Sequence, residues 1–324
     1  QISRTGGGVG LNFSNLRPKG AILSRGGTSS GSVSFMKVFN ESARIIQVGG
    51  QRRSAHMGIL NIDHPDIEEF ITLKQGDKNK ELTQFNISVG MNNEFMQAVE
   101  DDANWNLTFE GKIYKTVKAR YLNDLLLKNA YEHNEPGTFN IDNVHREANS
   151  FYMYKILQTN PCGEQSLPPY GVCDLGALNF VKFVLNPFTV DAVFDWEALS
   201  NAIPTAVRFL DNVLDATLYP LPKIKKRSID ERRIGLGFTG FADMLVMLGF
   251  KYGSQESKDF TEMLAEFFRD IAYCASIDLA KEKGKFKKFD KKLLQSGFVS
   301  RMSDPMKKAI KRHGLRNINI LTIA

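Results

Sequence analysis

Between Asn160 and Cys173 the chain carries Pro161, Gly163, Pro168, Pro169 and Gly171, which rule out a continuous helix and force a turn-rich segment into mid-sequence. The patterns on either side differ. The first sixty residues are rich in Gly, Ser and Arg, as in Thr5–Gly10, Leu16–Gly20 and Ser24–Gly27, and read as loops between short strands. Asp63 to Lys74 reads as a short helix that starts at His64-Pro65 and carries Asp66, Glu68 and Glu69 in its first turns. Phe85 to Val89 alternates as a strand does, Asn92 or Asn93 caps a helix holding Phe95, Met96 and Val99, and a further strand spans Gly137 to Ile141. Beyond the break, long helices are expected over about Asp195–Leu218, Phe238–Leu248 and Ser254–Lys283. Strand and helix alternate often enough to predict an α/β fold, with no boundary that splits residues 1–324 into separate domains.

The composition, 42% hydrophobic and 24% charged, is that of a globular chain with a core, and no apolar run approaches the ~20 residues of a membrane span. Three cysteines do not make a disulfide scaffold, which favours a reducing, cytoplasmic location. A net charge of +6 and a pI near 9.0 suit phosphate-bearing ligands. The Lys285–Lys292 run reads as solvated surface, so neither nucleic acid nor membrane is expected as a partner.

The break also holds the chemistry. In Asn160-Pro161-Cys162-Gly163-Glu164, an extended backbone would turn an amide, a thiol and a carboxylate to one side. A carboxylate beside a thiol disfavours the thiolate, so the grouping is a poor nucleophile. It suits a neutral S–H that gives up a hydrogen atom, with a carboxylate to take a substrate proton, and so points to radical chemistry. Cys162 and Cys173 are too far apart for a CxxC redox or zinc pair, and no metal site is expected.

Other features have plainer readings. Cys274 falls in the helical stripe Phe260, Met263, Leu264, Phe267, Ile271, Cys274, which predicts a buried, inert thiol. Gly235-Leu-Gly-Phe-Thr-Gly240 matches a dinucleotide fingerprint by letter, but the charged run Lys225–Arg233 replaces the buried strand that should precede it. A tight turn at Gly235 and Gly237 into a helix is the expectation. Thr5–Gly10 either cradles a phosphate or permits close backbone packing, and the residues alone do not choose. Arg17, Arg25 and the Gln51-Arg52-Arg53 run read as surface polar residues unless a nucleotide site lies nearby.

Several segments together resemble the ribonucleotide reductases, end to end and in that family's order. They are Gly6–Asn12, Leu16–Gly20, Arg52–Gly58, His64–Phe70, Asn160–Cys173 and Arg232–Gly237, and the cysteine segment is most similar to the adenosylcobalamin-dependent type. The resemblance implies a ten-stranded α/β barrel with the cysteine loop inside it. It implies that Cys162 becomes a thiyl radical taking the ribose 3′-hydrogen, that Glu164 takes the 3′-hydroxyl proton and that Asn160 bonds the ribose hydroxyls. Cys173 would be one thiol of the dithiol that reduces the 2′-carbon. Gly8 would bring its backbone to the substrate, Arg17 and Arg25 would hold effector phosphates, and Gln51, Arg52 and Arg53 would lie in the loop relaying effector identity.

The same resemblance implies a ribonucleotide substrate, most simply a diphosphate, a deoxynucleotide or ATP effector, a homodimer and a thioredoxin- or glutaredoxin-type reductant. The family's other redox cysteine would precede residue 1, and its phosphate-binding loop would follow Leu321–Ala324. This leads to the expectation of a partial barrel that needs a complementary polypeptide for turnover. Three alternatives stay open: a catalytic subunit whose radical comes from a metal-containing partner, a non-catalytic nucleotide-binding fragment, and a thiol hydrolase pairing Cys162 with His133 or His145.

Overall fold

The computed structural model describes residues 2–5, 7–48, 52–76 and 82–323, which fall into two compact units, 1–146 with 155–168 and 147–154 with 169–324. The first unit runs β1 (Val9–Asn12), α1 (Ser32–Ile45), β2 (Gln47–Val48), β3 (Arg52–Arg53), β4 (His56–Asn61), α2 (Ile67–Ile71) and β5 (Phe85–Met91). It continues with α3 (Asn93–Glu100), the hairpin β6 (Asn104–Phe109) and β7 (Lys112–Lys118), α4 (Ala119–His133), β8 (Gly137–Asn140), α5 (Ile141–Glu147), β9 (Gln158–Thr159) and β10 (Ser166–Leu167).

Strands β1, β4, β5 and β8 pair in parallel, in that order, with registers that include Val9↔His56, Met57↔Asn86 and Val89↔Thr138. Parallel strands covered on both faces lose the polar alternation of an exposed sheet. Accordingly Met57, Ile59, Leu60, Ile87 and Val89 are all buried, alongside Phe13, Phe70 and Phe85. A Cβ on Gly58 would lie 2.5 Å from Met36 Cε, so the missing side chain lets α1 settle on β4. The Asn92 carboxamide accepts from Phe95 N–H and starts α3 as expected. The helix expected over residues 63–74 contracts to Ile67–Ile71 with turns on either side.

The second unit runs β11 (Asp174–Asn179), β12 (Val184–Leu185), β13 (Val193–Phe194), α6 (Trp196–Ala216), α7 (Pro222–Glu231), β14 (Ile234–Thr239), α8 (Phe241–Met247), α9 (Gln255–Lys283), α10 (Gly297–Ser300) and α11 (Asp304–His313). Asp195 and Ser254 cap α6 and α9. Strands β11 and β14 are parallel from Asp174↔Ile234 to Asn179↔Thr239, and the segment 319–322 hydrogen-bonds along the other edge of β14. The β-prone tail of the sequence is thus laid beside a strand.

Two expectations change here. Gly235 and Gly237 belong to β14, not to a turn; Gly240, at φ +68°, makes the turn into α8. The two strand glycines answer to packing, since a Cβ on Gly237 would lie 2.2 Å from Thr322 O. Cys274 is exposed rather than buried. Helix α9 buries the neighbouring stripe Leu264, Phe268, Ala272, Ala275 and Leu279. Partial shielding and the nearby Asp278 and Asp270 carboxylates push the Cys274 thiol up.

A buried charge cluster fixes the start of β14. Arg232, in the left-handed region at φ +49°, ends α7 and turns the chain. Its guanidinium donates from Nε to Asp211 Oδ1 at 2.7 Å and from Nη1 and Nη2 to Asp215 at 2.7 and 2.9 Å. Arg316 and Asn317 also donate to Asp211, so helix, strand and tail meet on one carboxylate.

Candidate active site

In the first unit, β9 and β10 form an antiparallel hairpin, Thr159 opposite Ser166, with Asn160–Gln165 as its loop. The loop is a turn, not the extended segment that the residue pattern suggested. Gly163 N–H donates to Asn160 O at 3.1 Å, Asn160 N–H to Gln165 O at 3.1 Å, and Gly163 takes φ +87°. Asn160, Cys162 and Glu164 are therefore gathered by a tight reversal. Pro161 at its second position presets the backbone there.

The amide of Asn160 is partly committed to this shape. Its Oδ1 accepts from Gln165 N–H at 3.0 Å, which leaves the Nδ2 end as the group to donate to a ligand hydroxyl. Cys162 is exposed at the tip and free of any disulfide. Glu164 is half-buried, with Oε2 shielded from solvent. A thiol and a carboxylate thus stand two residues apart on one constrained loop, the amide at its base.

The loop is held from outside as well. Asn86 on β5 donates from Nδ2 to Pro161 O at 2.7 Å, and Asn12 on β1 donates to Leu157 O at 2.7 Å. Gly8, just before β1, and Gly10 within it complete the seat. A Cβ on Gly8 would meet Pro161 Cγ at 2.4 Å, and one on Gly10 would meet Thr159 O at 1.6 Å. Of the two readings left open for this cluster, close backbone packing is what the geometry displays, and it packs against the cysteine loop. The sequence reading did not single out Asn86 or Asn12; the signal was an asparagine in a strand whose neighbours are otherwise apolar.

Arg17 and Arg25 are exposed. Arg25 sits at the tip of a small arm closed by Leu23 N–H to Gly27 O and by the Ile22–Thr28 bridge. The arm's base is fixed by Ser29, whose hydroxyl donates to Arg17 O. Asp66, read from the sequence only as a helix-start residue, ties this region down. Its Oδ1 accepts from Lys19 N–H at 2.9 Å, and its Oδ2 accepts from Ser32 N–H and Oγ at 2.8 and 2.9 Å. Next to it, His64 Nδ1 accepts from Asp66 N–H while Nε2 faces Leu16 O, which fixes the neutral Nε2–H tautomer. Gln51 lies outside the described residues; the backbones of Arg52 and Arg53 form β3, paired with β2.

Cys173 lies in the second unit, half-exposed, immediately before β11. Its neighbour Asp174 has a buried Oδ2 with no hydrogen-bond partner among the described residues, and burial pushes this carboxyl up to about 6. Among the described residues no cluster of three or more His, Cys, Asp or Glu side chains could hold a metal ion, and no helix is long and apolar enough to cross a membrane.

Comparison with known proteins gives one family. The profile described as ribonucleotide reductase, barrel domain, matches residues 1–324. A vitamin B12-dependent ribonucleoside-diphosphate reductase of Thermoplasma acidophilum is 42% identical over 288 residues, which are 88% of this chain and 37% of the relative. A protein of the same name from Mycobacterium tuberculosis is 38% identical over 92% of this chain and 43% of its own length. The ribonucleoside-diphosphate reductase subunit alpha of Chlamydia pneumoniae is 27% identical across 100% of this chain and 36% of itself. The chain therefore spans about two fifths of the length of the relatives it matches.

Proposed function

Because this chain belongs to the ribonucleotide reductase barrel-domain family, we propose that it carries the radical-bearing part of an enzyme reducing ribonucleoside diphosphates to 2′-deoxyribonucleotides. The observation that carries this reading is the 160–165 loop. Asn160, Cys162 and Glu164 are held there in one turn by Gln165 and Asn86, against Gly8 and Gly10. In the proposed reaction the sulfur of Cys162, as a thiyl radical, takes the 3′-hydrogen atom of the ribose and becomes S–H. Glu164 takes the 3′-hydroxyl proton, and the Asn160 Nδ2 group orients the sugar hydroxyls. As the 2′-hydroxyl leaves as water, Cys173 supplies reducing equivalents as one thiol of a dithiol, later restored by a thioredoxin- or glutaredoxin-type reductant. Gly8 keeps the loop backbone close to the substrate by admitting Pro161.

The radical source in this reading is adenosylcobalamin. The printed names of the Thermoplasma and Mycobacterium relatives, both more similar to this chain than the Chlamydia subunit, support it. The loop fits such a group: Cys162 is exposed and free, and nothing stands within 4 Å of where a side chain on Gly163 would project. When bound, the cofactor would supply the initiating radical to Cys162, the residue that would face it.

Allosteric control and dimerisation belong to the same proposal. Arg17 and Arg25 would bind effector phosphates, and the loop carrying Gln51, Arg52 and Arg53 would relay effector identity. Helix α1 buries Val33 and Met36 yet leaves Phe35, Val38, Phe39 and Ile45 exposed. An apolar face of that kind suits a second copy of the chain.

The test is deoxynucleotide formation from a ribonucleoside diphosphate with adenosylcobalamin and a dithiol, by the chain together with a polypeptide carrying the second redox cysteine and the phosphate-binding loop. Cys162→Ser should abolish it while nucleotide binding stays within twofold. Undiminished reduction by Cys162→Ser would overturn the reading, as would reduction that needs a metal-containing subunit and ignores cobalamin.

A further inference from the structure

Arg232 and Arg233 are adjacent, both buried, and differently used. Every nitrogen of the Arg232 guanidinium donates to Asp211 or Asp215. Arg233 is only 5% exposed, and its Nη2 reaches Tyr154 Oη at 3.2 Å and Glu231 Oε2 at 3.5 Å. Its Nε is buried with no acceptor among the described residues. A buried charged donor left without a partner is costly, so this guanidinium calls for a reason other than packing.

Cys173 supplies one. Strands β11 and β14 pair from Asp174↔Ile234 onward, so Cys173 and Arg233 are the residues that lead the two strands in side by side. Side chains alternate along a strand, which sets Cys173 with Leu175 and Arg233 with Gly235. The two sets share a face. A Cβ on Gly235 would lie 3.2 Å from Cys173 Sγ and 2.6 Å from Leu175 Cδ2. The thiol therefore rests over the bare Cα of Gly235, on the side that carries Arg233, and the guanidinium interacts electrostatically with Cys173.

The other titratable groups here leave that cation the dominant charge. The single Glu231 carboxylate is shared by two guanidiniums, Arg227 on Oε1 at 2.7 Å and Arg233 on Oε2 at 3.5 Å, which leaves an excess of positive charge. Tyr154, under the Arg227 guanidinium, is pushed up to about 12 by burial and is neutral at pH 7. Asp174 alternates to the opposite face of β11, where its charge bears on Tyr219.

We propose that Arg233 is a positioning residue for Cys173, holding the sulfur over Gly235 and stabilising it as the thiolate. Its purpose rests on the reading of Cys173 as a reducing thiol: a lower thiol pKa makes a cysteine a better leaving group when its disulfide is exchanged. The electrostatic relation itself does not depend on that reading.

The test is the pH dependence of iodoacetamide alkylation in the full chain, resolved by peptide mass spectrometry, with Cys162 and Cys274 as internal references. Wild-type Cys173 is expected to titrate below the ~8.5 of an unperturbed cysteine. Arg233→Gln should raise that value by about one unit and slow alkylation at pH 7 roughly tenfold, and Arg233→Lys should restore most of the rate. Two results overturn the proposal: a Gln variant whose Cys173 profile overlays the wild type, or a wild-type Cys173 that titrates at or above ~8.5. The second needs no variant to fold. Deoxynucleotide formation by Cys173→Ser is a separate arm. Retained activity there, with the alkylation shift present, would remove the reducing role and leave the Arg233–Cys173 relation standing.

Discussion

Gly8 lies so close to Pro161 that a Cβ built on it would stand 2.4 Å from the ring Cγ. The residue leading into the first strand of the parallel sheet thus sets how far the cysteine loop can approach, and the distance admits no side chain. One pleat on, a Cβ built on Gly10 would stand 1.6 Å from the carbonyl oxygen of Thr159.

Gly8→Ala should displace the loop and cost about 1–3 kcal/mol in stability, the usual range for overpacking. Gly10→Ala should cost more, because a backbone carbonyl cannot swing aside as a proline ring can. Urea midpoints and deoxynucleotide formation together check the order. If Gly8→Ala proved the worse of the two, the packing argument would fail.

Asn86→Ala removes the amide that donates to Pro161 O at 2.7 Å. A neutral hydrogen bond contributes about 0.5–1.5 kcal/mol, so stability should fall only slightly. Turnover should fall much further, through kcat more than KM, since the loop loses its outside anchor. Equal small losses in both quantities would reduce Asn86 to ordinary strand polarity.

Asp211→Ala leaves Arg232 and Arg316 facing an empty, fully buried position. Breaking a buried pair from one side costs about 3–5 kcal/mol. Asp215 is half exposed and Arg232 would keep Asp211, so Asp215→Ala should cost less, about 1–3 kcal/mol for the Nη1 donor it leaves unpaired. Calorimetry of the two variants should separate them clearly.

Asp174 titrates near 6 in the folded chain against an ordinary value of 3.8, because burial penalises its charged form. A carboxyl raised on folding favours the native state only while protonated. Stability should therefore decline as pH rises from about 4 to about 6 and stay reduced above that. Asp174→Asn should be the more stable chain at pH 7, by about 1 kcal/mol after allowing for partial exposure, with the difference vanishing below about pH 4. A pH-independent difference would assign the effect to packing instead.

What the sequence made legible was local. The Asn92, Asp195 and Ser254 caps mark helix starts, and the Pro and Gly of the Asn-Pro-Cys-Gly-Glu run mark a break between elements, because each signal lies within a few residues of its effect. Gly235 and Gly237 misled because what excludes their side chains, Leu175 and Thr322, is far away in sequence. Cys274 misled for a helical reason. Phe260, Met263, Phe267 and Ile271 form an apolar stripe beside the buried one, and one residue of phase, about 100°, separates core from surface. The loop's shape was hidden too, since an extended strand and a tight turn can both bring alternate residues together.

The two oxygens of Asp66 receive the chain on either side of the Arg25 arm, Lys19 on one and Ser32 on the other. Beside the bonds that Ser29 makes to Arg17, Gly20 and Ala21, this carboxylate closes the arm at its base. The two ends cannot part unless one of them gives up an oxygen of Asp66, which makes that side chain the clasp between the arm and the first residue of α1.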